Sequence, residues 1–115
     1  MTGAGQRPDA AQWLAALNHP LRRRILRILG KTEVASATDI SRITEVRLGN
    51  VAYHLKVLTN LEVLELVRRR QVRGAFEKFY RPAPSDGEVE WVGVVLERTR
   101  DEDDQEEVSS SSRRS

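Results

Sequence analysis

The spacing of apolar side chains changes character near residue 60. Before that point it follows helical periods. "DAAQWLAALN", from Asp9, puts Trp13, Leu14 and Leu17 on one stripe of a short helix. "HP" interrupts it, and Pro20 suits the first turn of a new helix. "LRRRILRIL" then sets Leu21, Ile25, Ile28 and Leu29 on one face, with Gly30 where a C-cap glycine belongs. "SATDISRIT" opens with Ser36 and Asp39, a capping-box-like start, and lines Ala37, Ile40 and Ile43 on one side. It is barely two turns long and must pack on neighbours to persist. In "GNVAYHLKVL", Val51, Leu55 and Leu58 share a narrow arc, opposite Gly49, Tyr53, Lys56 and Asn60, with Asn50, Ala52 and Val57 flanking. Two short helices joined by "TEVR" make a helix-turn-helix pattern.

After Asn60 the period falls to two. "LELVRRR" and "AFEKFYR" read as strands around the turn "QVRG", with Gly74 supplying a positive φ at the tip. "RPAPSDGE" reads as a linker. "EVEWVGVVLERTR" fits a helix through Val89, Val92, Leu96 and Thr99, although its β-branched content also suits a strand. The expected organisation is a flexible N-terminus over 1–8, a single domain over 9–99, and a disordered acidic, serine-rich tail over 100–115. The fold class is mainly α with a small β-hairpin: a winged helix-turn-helix of five helices plus a two- or three-stranded wing.

Charge sharpens this picture. Residues 20–82 carry 14 Lys/Arg against 6 Asp/Glu, whereas residues 83–115 carry 4 against 10. A basic body with an acidic tail is a composition found in nucleic-acid binders. The absence of cysteine excludes disulfides, thiolate metal ligands and cysteine nucleophiles. His19 and His54 stand 35 positions apart, with no close ligand spacing, so neither a metal site nor any cofactor is expected. Each reads better as a capping or packing residue. No serine-hydrolase, P-loop or zinc motif occurs, which argues against an enzyme. With no secretory h-region and no apolar run long enough to span a bilayer, the expected location is cytoplasmic.

Taken together, "ALNHPLRRRIL", "SATDISRIT", "NVAYHLKVL" and "VLELVRRRQVRGAFEKFYR" resemble the ArsR-type winged-helix transcriptional regulators of bacteria over about residues 12–82. The resemblance implies a homodimer on a palindromic DNA operator, usually a repressor. It also implies a recognition helix at about 48–60, a wing at about 64–81, and dimerisation through the terminal helices at about 10–18 and 88–99. Two departures stand out. There are no thiols and no histidine in the last helix, which removes the usual metal-sensing ligands. Arg47 also stands where the family commonly has a serine.

The candidate site residues follow. Arg47, Gly49, Asn50, Ala52, Tyr53 and Lys56 read as a major-groove probe. Small residues permit close backbone approach, while Asn, Tyr and Lys can bond bases or phosphates. The bland alternative is an ordinary solvent face. Ser36 and Thr38 are candidate contacts at the start of the supporting helix. Arg68, Arg69, Arg70, Arg73 and Lys78 read as a wing meeting phosphates or the minor groove, or else as charges that keep an edge strand soluble. Arg22, Arg23, Arg24 and Arg27 read as a solvated face with local ion pairs. Trp13, Leu14, Leu17, Trp91, Val92, Val95 and Leu96 belong either to a dimer interface or to the monomer core. The expected partners are double-stranded DNA and a second copy of the chain, with no membrane and no identifiable effector. The alternatives are a winged-helix protein-interaction module and a non-specific architectural DNA-binding protein.

Overall fold

The structure is a computed structural model and describes residues 8–84 and 90–104. Residues 1–7, part of the linker (85–89) and most of the acidic tail (105–115) lie outside the described residues. The element order is α1 (Ala10–Ala16), α2 (Pro20–Thr32), β1 (Ala35–Ser36), α3 (Ala37–Thr44), α4 (Leu48–Asn60), β2 (Leu64–Val72), β3 (Ala75–Pro82) and α5 (Glu90–Arg98). A further helical segment covers residues 100–104, making six among the described residues. A three-stranded antiparallel sheet in the order β1-β3-β2 completes a winged helix.

Local chemistry sets the helix starts. Asp9 and Ser36 each form a capping box, with Gln12 and Asp39 as the reciprocating residues. Each box satisfies two backbone donors that would otherwise lack partners. His19 caps α2 by accepting from Leu21 N at 3.1 Å, and Pro20 occupies the first turn. The helix ends are less expected. Gly30 is not a cap: α2 runs on to Thr32 and stops at Glu33, φ 73°. Glu45 ends α3 at φ 60°, and Glu62 follows α4 at φ 69°. Three glutamates thus hold left-handed turns that more often fall to Gly or Asn, and each sits where the helix dipole disfavours an acid.

The core lies where α1, α2, α4 and the base of the hairpin converge. Ile25, Leu29, Ile40, Val51, Leu55 and Leu58 are fully buried, and Val63 and Leu64 close the lower edge. Burial of one such side chain contributes about 1.5–3 kcal/mol. On α3 the inward positions are Ile40 and Thr44, whereas Ile43 is half exposed. The short helix is therefore held by Ile40, with Ala37 packed partly against the core and the Thr44 hydroxyl bonded back to Ile40 O at 2.8 Å. The two-residue β1 pairs with β3 and leads straight into the α3 cap: Ser36 ends the strand and caps the helix.

The 88–99 region is helical where described, in agreement with the favoured reading. Residues 100–104, expected to belong to the disordered tail, are helical. Asp103 is buried, and its carboxylate accepts from Arg23 and Arg27 of α2 at 2.7–2.9 Å. Arg27 also donates to Leu96 O and Thr99 Oγ1. Two of the four arginines read as a solvated face are thus engaged in docking the C-terminal helical segment. At the other end, Pro8, expected within the flexible N-terminus, is buried.

Candidate nucleic-acid interface

Helix α4 is seated by its apolar arc. Val51, Leu55 and Leu58 have no exposed surface, so the opposite positions are forced outward at 3.6 residues per turn. Arg47, Gly49, Asn50, Ala52, Tyr53 and Lys56 are all exposed, with Tyr53 at 60%. The fold itself does not require this face to be slight. A Cβ added at Gly49 meets nothing within 4 Å, so no internal packing demands glycine there. Arg47 is the N-cap and makes no side-chain capping bond, leaving its guanidinium at the helix start free of that task.

His54 fixes the rotational setting of α4. It is 9% exposed, and its Nδ1 accepts from Arg22 Nε at 3.1 Å, so the neutral ring carries its proton on Nε2. Arg22 also donates to Ala15 O at 2.8 Å, tying α1, α2 and α4 together. The His19 ring lies 4.4 Å from that of His54, and Tyr53 meets His54 edge-on at 5.1 Å. Burial, followed by the nearby His19 and Arg22, lowers the His54 pKa from the ordinary imidazole value. The expectation of a packed histidine is met. The role of Arg22 was not legible, because its partner lies 32 positions away.

The wing is a hairpin with a two-residue loop. Arg73 at φ 52° and Gly74 at φ 83° give both loop residues the positive φ that a type I′ turn needs. Paired residues share a face, so register sorts the charges. A bulge at Val67 breaks the alternation between Leu66 and Arg68. As a result Arg68 and Arg70 fall with Phe79 and Glu77 on one face, while Arg69 falls with Lys78 on the other. Arg68 stacks on Phe79 at 4.4 Å, and Arg70 pairs with Glu77 at 2.9 Å. Arg69, Arg73 and Lys78 have no carboxylate partner among the described residues. The basic cluster of the sequence is therefore two groups, one engaged within the hairpin and one without carboxylate partners among the described residues.

Other candidates divide similarly. Thr38 is exposed beside α4, but Ser36 is buried and its hydroxyl accepts from Asp39 N at 3.1 Å. That capping duty, with no exposed surface, removes Ser36 as a contact residue. Trp13, Leu17 and Val92 are core residues of the single chain, and Trp91, Val95 and Leu96 pack partly against them. Of the seven terminal-helix candidates only Leu14, at 61%, is largely open to a partner. Val94, half exposed on α5, was not singled out.

Residues 17–67 match a family described as a helix-turn-helix domain. The match spans α2, α3, α4 and the start of β2, the elements that carry the outward face of α4. Helix-turn-helix domains place their second helix in the DNA major groove, and the match supports that class of function. No curated protein matches the chain. Among the described residues no helix is long and apolar enough to cross a membrane, and no group of three or more His, Cys, Asp or Glu is arranged to hold a metal.

Proposed function

We propose that the protein is a sequence-specific, duplex-DNA-binding transcriptional regulator of the ArsR-like kind, a cytoplasmic repressor acting as a homodimer on a palindromic operator. In this reading Asn50, Tyr53 and Lys56 of α4 contact bases and neighbouring phosphates in the major groove. Gly49 and Ala52 let the helix axis approach, and Arg47 meets the groove edge. Arg69, Arg73 and Lys78 anchor phosphates beyond it, with Thr38 at the side. Leu14 and Val94 are the apolar surface left for a second copy. No catalytic role and no cofactor are assigned.

The observation that carries this reading is the conjunction of two features. A helix seated by its buried apolar arc presents an outward face that sets Gly49 and Ala52 among Asn50, Tyr53 and Lys56, and a hairpin beside it carries cations without carboxylate partners among the described residues. Wing cations that served only solubility would gain by pairing with local acids, as Arg70 and Arg81 do.

Selection of bound sequences from a random duplex pool tests the proposal. A two-fold symmetric motif is expected, with half-sites about one helical turn apart. A pool that stays random after repeated rounds contradicts it.

A further inference from the structure

A cleft of about 540 Å³ lies between the outer side of α4 and the face of the wing that looks toward it. Its walls include Leu48, Leu66, Phe76 and Tyr80, with Lys56 and Lys78 bearing amines. Small-molecule sites commonly measure roughly 300–1,000 Å³ and combine apolar walls with a few polar groups. Three of the chain's large exposed apolar side chains gather here: Leu48 at 50%, Leu66 at 37% and Phe76 at 66%. From α4 the lining takes Leu48, Ala52, Lys56, Thr59 and Asn60, and the small Ala52 side chain leaves room between Leu48 and Lys56.

Charge narrows the occupant. Neither Lys56 nor Lys78 has a carboxylate partner among the described residues. Lys78 is also paired across the hairpin with Arg69, a like-charge juxtaposition that an anion would relieve. Among the described residues the one acid on the lining, Glu77, is held by Arg70 at 2.9 Å. Phosphodiester oxygens would satisfy the lysines, but they leave Leu48, Leu66 and Phe76 facing water or sugar edges. An apolar body with a single anionic head satisfies both.

We propose that this cleft is an effector site for an apolar monocarboxylate. The carboxylate is held by Lys56 and Lys78, and the hydrocarbon lies against Leu48, Leu66, Phe76 and Tyr80. Because the same cleft adjoins the outward face of α4, occupancy displaces duplex DNA; that consequence rests on the DNA-binding reading, whereas the binding site itself does not.

The test uses the full chain without DNA. 2-Naphthoate and decanoate serve as flat and flexible acids, with 2-naphthalenemethanol and decanol as uncharged counterparts. Calorimetry is expected to show saturable binding of at least one acid, at least tenfold tighter than its alcohol. Backbone amide NMR shifts are expected at Ala52, Lys56, Leu66 and Lys78. Lys56→Gln and Lys78→Gln are each expected to weaken the acid about fivefold or more and to leave the alcohol unchanged. Equal affinity for acid and alcohol, shifts confined to α1 and α5, or no saturable binding of either acid overturns the proposal. If these amides respond to duplex DNA and never to the acids, the cleft is a DNA contact surface only, and the effector site is rejected. A protein that binds an acid but no selected duplex retains the site and loses the DNA-binding reading instead.

Discussion

Arg23 grips Asp103 at two points, Nε to Oδ2 at 2.9 Å and Nη2 to Oδ1 at 2.7 Å, across 80 positions of sequence. Arg27 adds a third bond to the same carboxylate, and the Asp103 side chain has no exposed surface. Burial by itself would raise the Asp103 pKa, but the hydrogen bonds and charges of the two guanidinium groups outweigh it and hold the pKa below the ordinary carboxylate value. The domain therefore closes on a buried ion triad between α2 and the C-terminal helical segment.

Asp103→Asn should lower unfolding stability by about 3 kcal/mol. Removing one partner from a buried pair costs about 3–5 kcal/mol, and the slightly exposed arginines recover part of that through water. Asp101→Asn and Asp104→Asn, at exposed neighbours, should stay within about 0.5 kcal/mol. Urea denaturation of the three variants distinguishes this from a tail that begins at residue 100, for which all three would behave alike.

Gly49→Ala and Gly30→Ala form a matched pair. Both glycines lie inside helices with open space at the Cβ position. Gly30→Ala should stabilise the fold by about 0.5–1 kcal/mol, and Gly49→Ala, in the first turn of α4, by less. Only Gly49→Ala should weaken binding to the selected duplex, because only Gly49 lies on the face assigned to DNA. Thermal unfolding and anisotropy on the same preparations read both effects. Unchanged DNA affinity in Gly49→Ala would remove the case for close backbone approach.

Much of the fold was legible because it is written in local periods. The α4 boundaries, the buried arc of Val51, Leu55 and Leu58, the Ser36–Asp39 capping box and the hairpin all follow from spacing within a few residues. What escaped depends on partners distant in sequence. Asp103 sits in an acidic run and looks solvated until Arg23 and Arg27 are placed beside it. The Val67 bulge is a register fact that no single strand reveals, and it decides which wing arginines face α4. Gly30 misled because C-cap statistics favour glycine, while the positive φ falls on Glu33. The outward residues of α4 were identifiable from periodicity, but Ser36 was not separable from Thr38 without its burial.

Acidification should loosen the seat of α4. The folded-state pKa of His54 is depressed below its ordinary value of 6.5, so the unfolded chain binds the proton more readily. The stability contribution of neutral His54 is complete above that ordinary value and is lost as pH falls through the depressed folded value. Protonation also places a donor at Nδ1 against the Arg22 Nε–H. Melting temperature should therefore fall between about pH 7 and about pH 5 more in the native chain than in His54→Gln. Parallel curves for the two proteins would assign acid sensitivity elsewhere.

The wing charges should separate by pairing. Arg69→Ala, Arg73→Ala and Lys78→Ala should each lower the salt slope of DNA binding by about one. Arg70→Ala should lower it less, since Glu77 already holds that guanidinium. Affinity measured at several salt concentrations gives the slopes. Equal slopes across all four variants would contradict the division of the hairpin into two faces.

The most direct test of the account is the specificity ratio of α4 variants. Affinities of the native protein, Asn50→Ala and Tyr53→Ala are measured at one fixed ionic strength, on the selected duplex and on an unrelated duplex of equal length. Each variant should lose about 1–3 kcal/mol on the selected site and far less on the unrelated one. Equal losses on both duplexes, or no loss on either, would contradict base readout by the outward face of α4.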